Sequence, residues 1–227
     1  MTRTAGFILI NKPVGPSSHA IINRLRRLSG QKRIGHAGTL DPLASGLLIV
    51  AIGREFTKQL GRYLKADKEY RADIYLGAIS HTYDREGPIQ ETVCLSRPKR
   101  SDVKKALLAW QGKIEQTPPL FSAKKIGGQK LYQLARKGLT ISIPAQSIEI
   151  YRLKLIRYRW PHLVVKISCS SGTYIRSLAH DLGQTLGCGA YLYSLTRTKI
   201  GRFSLRSAKK LEKLNADNVF KYLKNSL

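Results

Sequence analysis

The sequence predicts an α+β domain, with strands and helices along one chain, and two observations carry that reading. Short apolar or β-branched runs, bounded by Gly, Pro or polar clusters, recur at residues 6–11, 47–52, 147–158, 163–169 and 189–201, as strands do. Between them, apolar residues fall at helical spacing in 18–28, 100–110 and 173–186. With 227 residues and 42% hydrophobic side chains, the chain is long enough to bury a core, which excludes a disordered chain.

Residues 6–11 (G-F-I-L-I-N) read as a buried strand that Lys12-Pro13-Val14-Gly15-Pro16 ends. Ser17 or Ser18 then caps a helix with Ile21, Ile22, Leu25 and Leu28 on its apolar face and Gly30 as its stop. Its other face carries Arg24, Arg26 and Arg27, a stripe suited to phosphates. Residues 35–46 read G-H-A-G-T-L-D-P-L-A-S-G, an exposed loop at the edge of a sheet holding a single carboxylate, Asp41. Its glycines permit positive φ and close approach, and Pro42 biases Asp41 away from the helical region. An isolated acid in such a loop, within a strongly basic chain, is the first candidate for chemistry; a plain Asp-Pro turn is the bland alternative.

A helix is expected over 55–64 and a strand over 68–77, with Tyr70 near the strand's start. Residues 112–138 hold paired prolines, paired glycines and many lysines, Lys124 and Lys125 among them, and read as a mobile connection. The β-rich runs 147–158 and 163–169 form a hairpin across R-W-P-H. Ser170-Ser171-Gly172-Thr173 caps a helix whose apolar face is Ile175, Leu178, Ala179, Leu182 and Leu186. Arg176 falls in its first turn, where a cation opposes the helix dipole, so it requires a partner that offsets this. A last strand spans 189–201 and includes Leu195; one or two short lysine-rich helices follow.

Forty Lys and Arg against fourteen Asp and Glu give a net charge of +26, the footprint of a polyanion binder. The basic residues are spread along the chain rather than gathered on one amphipathic helix, which favours nucleic acid over a membrane surface. Cys94, Cys169 and Cys188 are too few and too scattered for a disulfide framework or a zinc site. The apolar run 7–10 is shorter than a signal-peptide core, so the expected location is the cytoplasm.

The string G-H-A-G-T-L-D-P-L-A-S-G resembles the catalytic motif of the TruB family of tRNA pseudouridine synthases. So do K-P-x-G-x-x-S at 12–18, K-x-Y with the later T-Y-D-R-E-G, and C-S-S-G-T-Y-I-R-S-L-A-H-D-L-G from Cys169. The likeness runs from about residue 6 to about 203; His81 stands where members often have an aspartate, and Ser17-Ser18 where they usually have Thr-Ser. It implies the pseudouridine synthase fold, with a mixed, mostly antiparallel central sheet, flanking helices and a thumb-like insertion at about 112–145. One catalytic domain over 1–227 is expected, with a short basic helical tail at about 204–227 and no C-terminal PUA domain.

The resemblance also assigns roles. Asp41 is the catalytic residue, Tyr70 stacks on the target base, and Arg176 pairs with Asp41. His36 fills the space the extruded base vacates, and Leu195 packs against that base. Lys12, with Pro13, buttresses the loop and joins Lys124 and Lys125 among the residues expected at the RNA. The implied reaction isomerises uridine 55 in the T-loop of tRNA by base flipping, with no metal and no organic cofactor, in a monomer that needs no membrane. Two other readings stay open: a non-catalytic basic RNA-binding protein or tRNA chaperone, and a guide-RNA-directed synthase resembling dyskerin.

Overall fold

The computed structural model describes residues 4–122, 124–136 and 142–226. In chain order the elements begin β1 (Gly6–Lys12), α1 (Ser18–Ser29), β2 (Ile34–Ala37), β3 (Ala44–Ile52), α2 (Arg54–Thr57), α3 (Leu60–Leu64), β4 (Lys68–Leu76), β5 (Ala78–Ser80), β6 (Ile89–Glu91), α4 (Arg100–Ala109) and β7 (Gly112–Gln116). They continue with β8 (Lys125–Ile126), β9 (Gln129–Lys130), α5 (Leu131–Arg136), β10 (Gln146–Arg159), β11 (His162–Cys169), α6 (Ile175–Thr185), β12 (Ala190–Ile200), β13 (Phe203–Ser204) and β14 (Lys209–Lys210). The fold is therefore α+β, with mixed but mostly antiparallel pairing. It divides into two compact units, one running to Tyr70 and resuming at Leu195, the other spanning Arg71–Ser194.

In the first unit the strand order is β14-β1-β3-β12, with β2 also paired to β3 and β13 to β12. β1 and β2 run antiparallel to β3, whereas β12 runs parallel to it. β3 is buried on both faces, which is why it reads as a continuous apolar run rather than an alternating one. Ile8, Ile10, Leu48 and Val50 pack with Ile21, Ile22 and Leu25 of α1. Phe7, Leu9, Leu47 and Ile49 pack with Phe56, Leu60 and Tyr63 on the other side. The helix expected over 55–64 is two short ones, α2 and α3, broken at Lys58 and Gln59.

The tail differs from the short helices expected. It forms 3₁₀ turns at Leu205–Ser207, Leu211–Lys213 and Val219–Tyr222, and β14 pairs with β1. Asn215 and Asn218 explain part of this: each side chain accepts from the other's backbone N–H, at 2.9 and 3.0 Å, which competes with helical bonding. Leu211, Leu214, Val219 and Leu223 still bury their side chains in the α1 side of the core.

In the second unit the order is β4-β11-β10-β7, beside the small hairpins β5–β6 and β8–β9. β10 and β11 form the expected hairpin, turning through Trp160 and a cis Pro161. Gly112–Gln116, expected as part of a mobile connection, is an edge strand paired with β10. The cap of α6 also differs: Tyr174, not the preceding Ser or Thr, stands at the N-cap. Gln116 holds it from both sides, accepting from its N–H at 2.8 Å and donating to its carbonyl at 3.0 Å. Thr173 Oγ1 is engaged with the Ser170 carbonyl instead.

Candidate active site

The Asp41 loop, residues 38–43 between β2 and β3, is less exposed than its glycines suggested: Asp41 is half-buried, and Leu40 and Leu43 beside it are buried. Three anchors fix it. Ser18, the first residue of α1, donates from Oγ to the Leu40 carbonyl at 3.0 Å and accepts from the Leu40 N–H at 2.8 Å. Ser17 is the N-cap, accepting from Ala20 N, so the two serines divide the capping and stapling roles. Gly15 N–H donates to the Pro42 carbonyl at 2.9 Å.

The third anchor is Arg197 of β12, which is 1% exposed. Its Nε donates to the Leu47 carbonyl at 2.8 Å and its Nη2 to the Gly38 carbonyl at 2.9 Å, while Nη1 lies 3.5 Å from the Thr39 carbonyl. The planar guanidinium fork thus spans both arms of the loop, a geometry that an ammonium could not reproduce. Gly46 makes room for this: at φ +111° its backbone runs so close to β12 that a Cβ would sit 2.3 Å from the Arg197 carbonyl oxygen.

Lys12 is 0% exposed, and its Nζ donates to the carbonyls of Pro13 (2.9 Å) and Pro16 (2.8 Å). It shapes the turn before α1 from within rather than offering a surface charge to RNA. Leu195 is buried and sits in register with Ala44, just past the Asp41 loop. His36, half-buried on β2, has its pKa lowered by burial first and by the charges of Arg197 and His19, with the Gly38 backbone pulling the other way. It is therefore a neutral imidazole near neutral pH, and its Nδ1 is buried with no hydrogen-bond partner among the described residues. Tyr70 is buried at the start of β4, where Thr198 of β12 donates to the side chain of the neighbouring Glu69 at 2.8 Å.

Arg176 belongs to the second unit. It is 7% exposed in the first turn of α6, and its Nη1 lies 3.4 Å from Asp84 Oδ2. Nη1 also donates to the Thr82 carbonyl at 3.1 Å, and Nη2 to that of Phe121 at 2.9 Å. The dipole argument required a partner for this cation, and Asp84 is one. Asp84 is held in turn by Thr82 Oγ1 at 2.6 Å and the Glu86 N–H at 3.0 Å. Between them Tyr83 takes a positive φ of 61° and stacks on His180, with centroids 4.1 Å apart. Lys124 donates to Gln146 Oε1 at 2.9 Å. Lys125 lies on β8, its side chain outside the described residues, as are residues 123 and 137–141 of the expected thumb.

The family profile described as "TruB family pseudouridylate synthase (N terminal domain)" matches residues 26–175, two thirds of the chain. The chain belongs to the TruB family. A second profile, "tRNA pseudouridylate synthase B C-terminal domain", matches residues 176–225. The chain is 47% identical over 202 residues to "tRNA pseudouridine synthase B" of Protochlamydia amoebophila, covering 89% of this chain and 76% of that one. It is 39% identical over 218 residues to the protein of the same name from Clostridium kluyveri, covering 96% and 75%.

Among solved structures, Cbf5 in a Cbf5–Nop10–Gar1 complex matches with a TM-score of 0.74 and 26% identity, over 95% of this chain. This chain spans 54% of that Cbf5 chain. For this TruB member, sequence reasoning missed Arg197 and the partnership of Arg176 with Asp84. The signal for Arg197 was present but unread: an arginine amid the last core strand has to bury its charge or break the strand's alternation.

Proposed function

We propose that this chain is a tRNA pseudouridine synthase that isomerises uridine 55 in the T-loop, with Asp41 as the catalytic residue. The reading rests on one observation above the others: a carboxylate carried by a loop whose backbone is held at Leu40, Gly38 and Thr39 by the buried side chains of Ser18 and Arg197, and at Pro42 by the Gly15 N–H. Catalysis gains from such fixed placement because reacting groups misplaced by about 1 Å lose about a hundredfold in rate. The names of the relatives supply the substrate class.

The reaction breaks N1–C1′ of the nucleoside, turns the uracil over and forms C5–C1′. C5 gives up its proton and N1 gains one, so no atom is lost or added. Asp41 acts as nucleophile or base, Tyr70 stacks on the extruded uracil, and Leu195 packs against it. Arg176 supports the carboxylate; a double-mutant cycle between Asp41 and Arg176 measures this, with a coupling near zero counting against it. His36 fills the space that the extruded base has left. Lys124 and Lys125 contact the RNA backbone. The 227 residues act as one catalytic domain, as a monomer on the T-arm, in the cytoplasm. Among the described residues no helix is long and apolar enough to cross a membrane.

The test uses two unmodified tRNA transcripts, one with uridine and one with cytidine at position 55, incubated with the purified protein and mapped for pseudouridine at single-nucleotide resolution. One product at position 55 of the first and none in the second is expected. Product at other uridines in both transcripts would refute the site assignment, and no product with tight binding would favour the RNA chaperone.

A further inference from the structure

The sheet of the Arg71–Ser194 unit has a second face that this chemistry leaves unused. In the β10–β11 register Leu153 pairs with Ile167, Leu155 with Val165 and Tyr158 with Leu163. These make the apolar side, where α4 packs on β10 and α6 on α4. The alternate positions point the other way. There Arg152 stands opposite Ser168, Lys154 opposite Lys166, Arg157 opposite Val164 and Arg159 opposite His162. All five of these cations are exposed.

Two β-bulges bring this about. The register shifts between Ile150 and Arg152 and between Leu155 and Arg157 each insert one extra residue, Tyr151 and Ile156, and reset the alternation. Without the second bulge, Arg157 and Arg159 would turn to the apolar side while Arg152 and Lys154 stayed outside. The bulges therefore gather the cations of β10 on one face. Setting Lys154 directly across from Lys166 adds like-charge repulsion, which stability alone does not favour.

At the far side of this stripe lies an aromatic cluster. Tyr75 of β4 stacks on Tyr191 of β12 with centroids 5.2 Å apart, and the edge of His162 meets Tyr75 and Tyr193 at 5.3 and 5.2 Å. Tyr193 is 38% exposed, with the Arg85 guanidinium 5.4 Å from its ring centre. A row of cations beside tyrosine rings matches a sugar–phosphate backbone with an accessible base. An anionic membrane asks instead for apolar side chains free to insert, whereas these rings pack on one another.

We propose that this face is a second RNA-contact surface, which grips the substrate outside the stem-loop that carries the target uridine. It rests on the tRNA synthase reading above. The test compares wild type with the Lys154→Gln/Arg157→Gln double variant on full tRNA transcript and on the isolated T-arm stem-loop. Affinity is read across a salt series, with pseudouridine formation followed in parallel.

For full tRNA, affinity should fall about tenfold near 0.1 M salt, and the slope of log K against log salt should drop by about two. Stem-loop affinity and turnover should match wild type, because exposed strand substitutions change stability by only about 0.5 kcal/mol. Unchanged tRNA affinity overturns the proposal, as does an equal loss on both RNAs, which would assign the cations to the stem-loop site. Binding to phosphatidylserine vesicles that the substitutions abolish, with RNA affinity intact, assigns the face to a membrane instead. A wild type that binds both RNAs but makes no pseudouridine in either overturns the underlying reading, and does so separately from any change in affinity.

Discussion

Arg197 Nη2 donates to the Gly38 carbonyl at 2.9 Å, tying a buried strand arginine to the loop that carries Asp41 from 159 residues away in sequence. This contact, with those to Leu47 and Thr39, makes the position of the carboxylate a property of the core rather than of the loop.

Arg197→Lys keeps the charge but not the fork, so the carbonyls of Leu47 and Gly38 cannot both be satisfied. The expected result is a kcat lower by about tenfold to a hundredfold with KM for tRNA little changed. Arg197→Met should in addition lower stability by about 3 kcal/mol, from buried carbonyls left without donors. Denaturant titration and steady-state kinetics on the two variants check both effects.

Ser18→Ala removes both bonds to Leu40 and leaves a buried N–H and C=O unmet, at a cost of about 1–3 kcal/mol. Ser17→Ala loses only the cap of α1, about 1 kcal/mol, and should leave kcat at the wild-type value. The difference in kcat between the two is the informative quantity.

Gly46→Ala should be among the most damaging single changes in the chain, because it combines a positive φ with a Cβ 2.3 Å from backbone. A loss of more than about 3 kcal/mol is expected, seen as poor soluble yield or a sharply lowered Tm. Gly15→Ala, also at positive φ but with open space around a Cβ, should keep the fold.

Asp84→Asn weakens the pair with Arg176, whose side chains are 4% and 8% exposed. Removing one partner of a pair buried this deeply costs about 3–5 kcal/mol in general. Here the loss should be smaller, since the amide keeps the contacts from Thr82 and Glu86 in part. Equilibrium unfolding of Asp84→Asn, Arg176→Lys and the double variant should show coupling of about 1 kcal/mol or more.

Burial raises the Asp181 carboxyl to a pKa of about 6. Between about pH 4 and pH 6 the folded protein therefore holds a proton that the unfolded chain has released, and this group's contribution to stability falls as pH rises through that window. Asp181→Asn should flatten the slope there and stabilise the protein above pH 6, where the partly exposed carboxylate is charged. His36 acts with the opposite sign: its folded pKa is lowered, so stability is lost as pH falls below the ordinary histidine value of about 6.5. Melting curves from pH 4 to 8 on Asp181→Asn and His36→Gln separate the contributions.

Much of this was legible in the sequence because it is local. The glycine-bracketed acid at Asp41, the strand runs and the α1 face follow from residue types at short range, and the conflict between Arg176 and the helix dipole already demanded a counter-charge. What closed those arguments was not local. Arg197 reads as one more polar residue on a strand until its register with Gly46 shows a gap that a side chain on Gly46 would have filled. Asp84 is an ordinary turn residue until the positive-φ Tyr83 turn and the Asp84–Leu192 bridge place it under Arg176. Bulges are likewise invisible to period-two counting, so β10 looked like a plain hairpin arm rather than a strand with its cations on one face.

The most direct test of the account is single-turnover pseudouridine formation by wild type and Asp41→Asn on one unmodified tRNA transcript, with RNA affinity measured under the same conditions. The expected result is a T-loop product with wild type and none with Asp41→Asn, at affinities within about threefold of each other and equal melting temperatures. Product formed by Asp41→Asn at the wild-type rate would contradict the assignment of the chemistry to this loop.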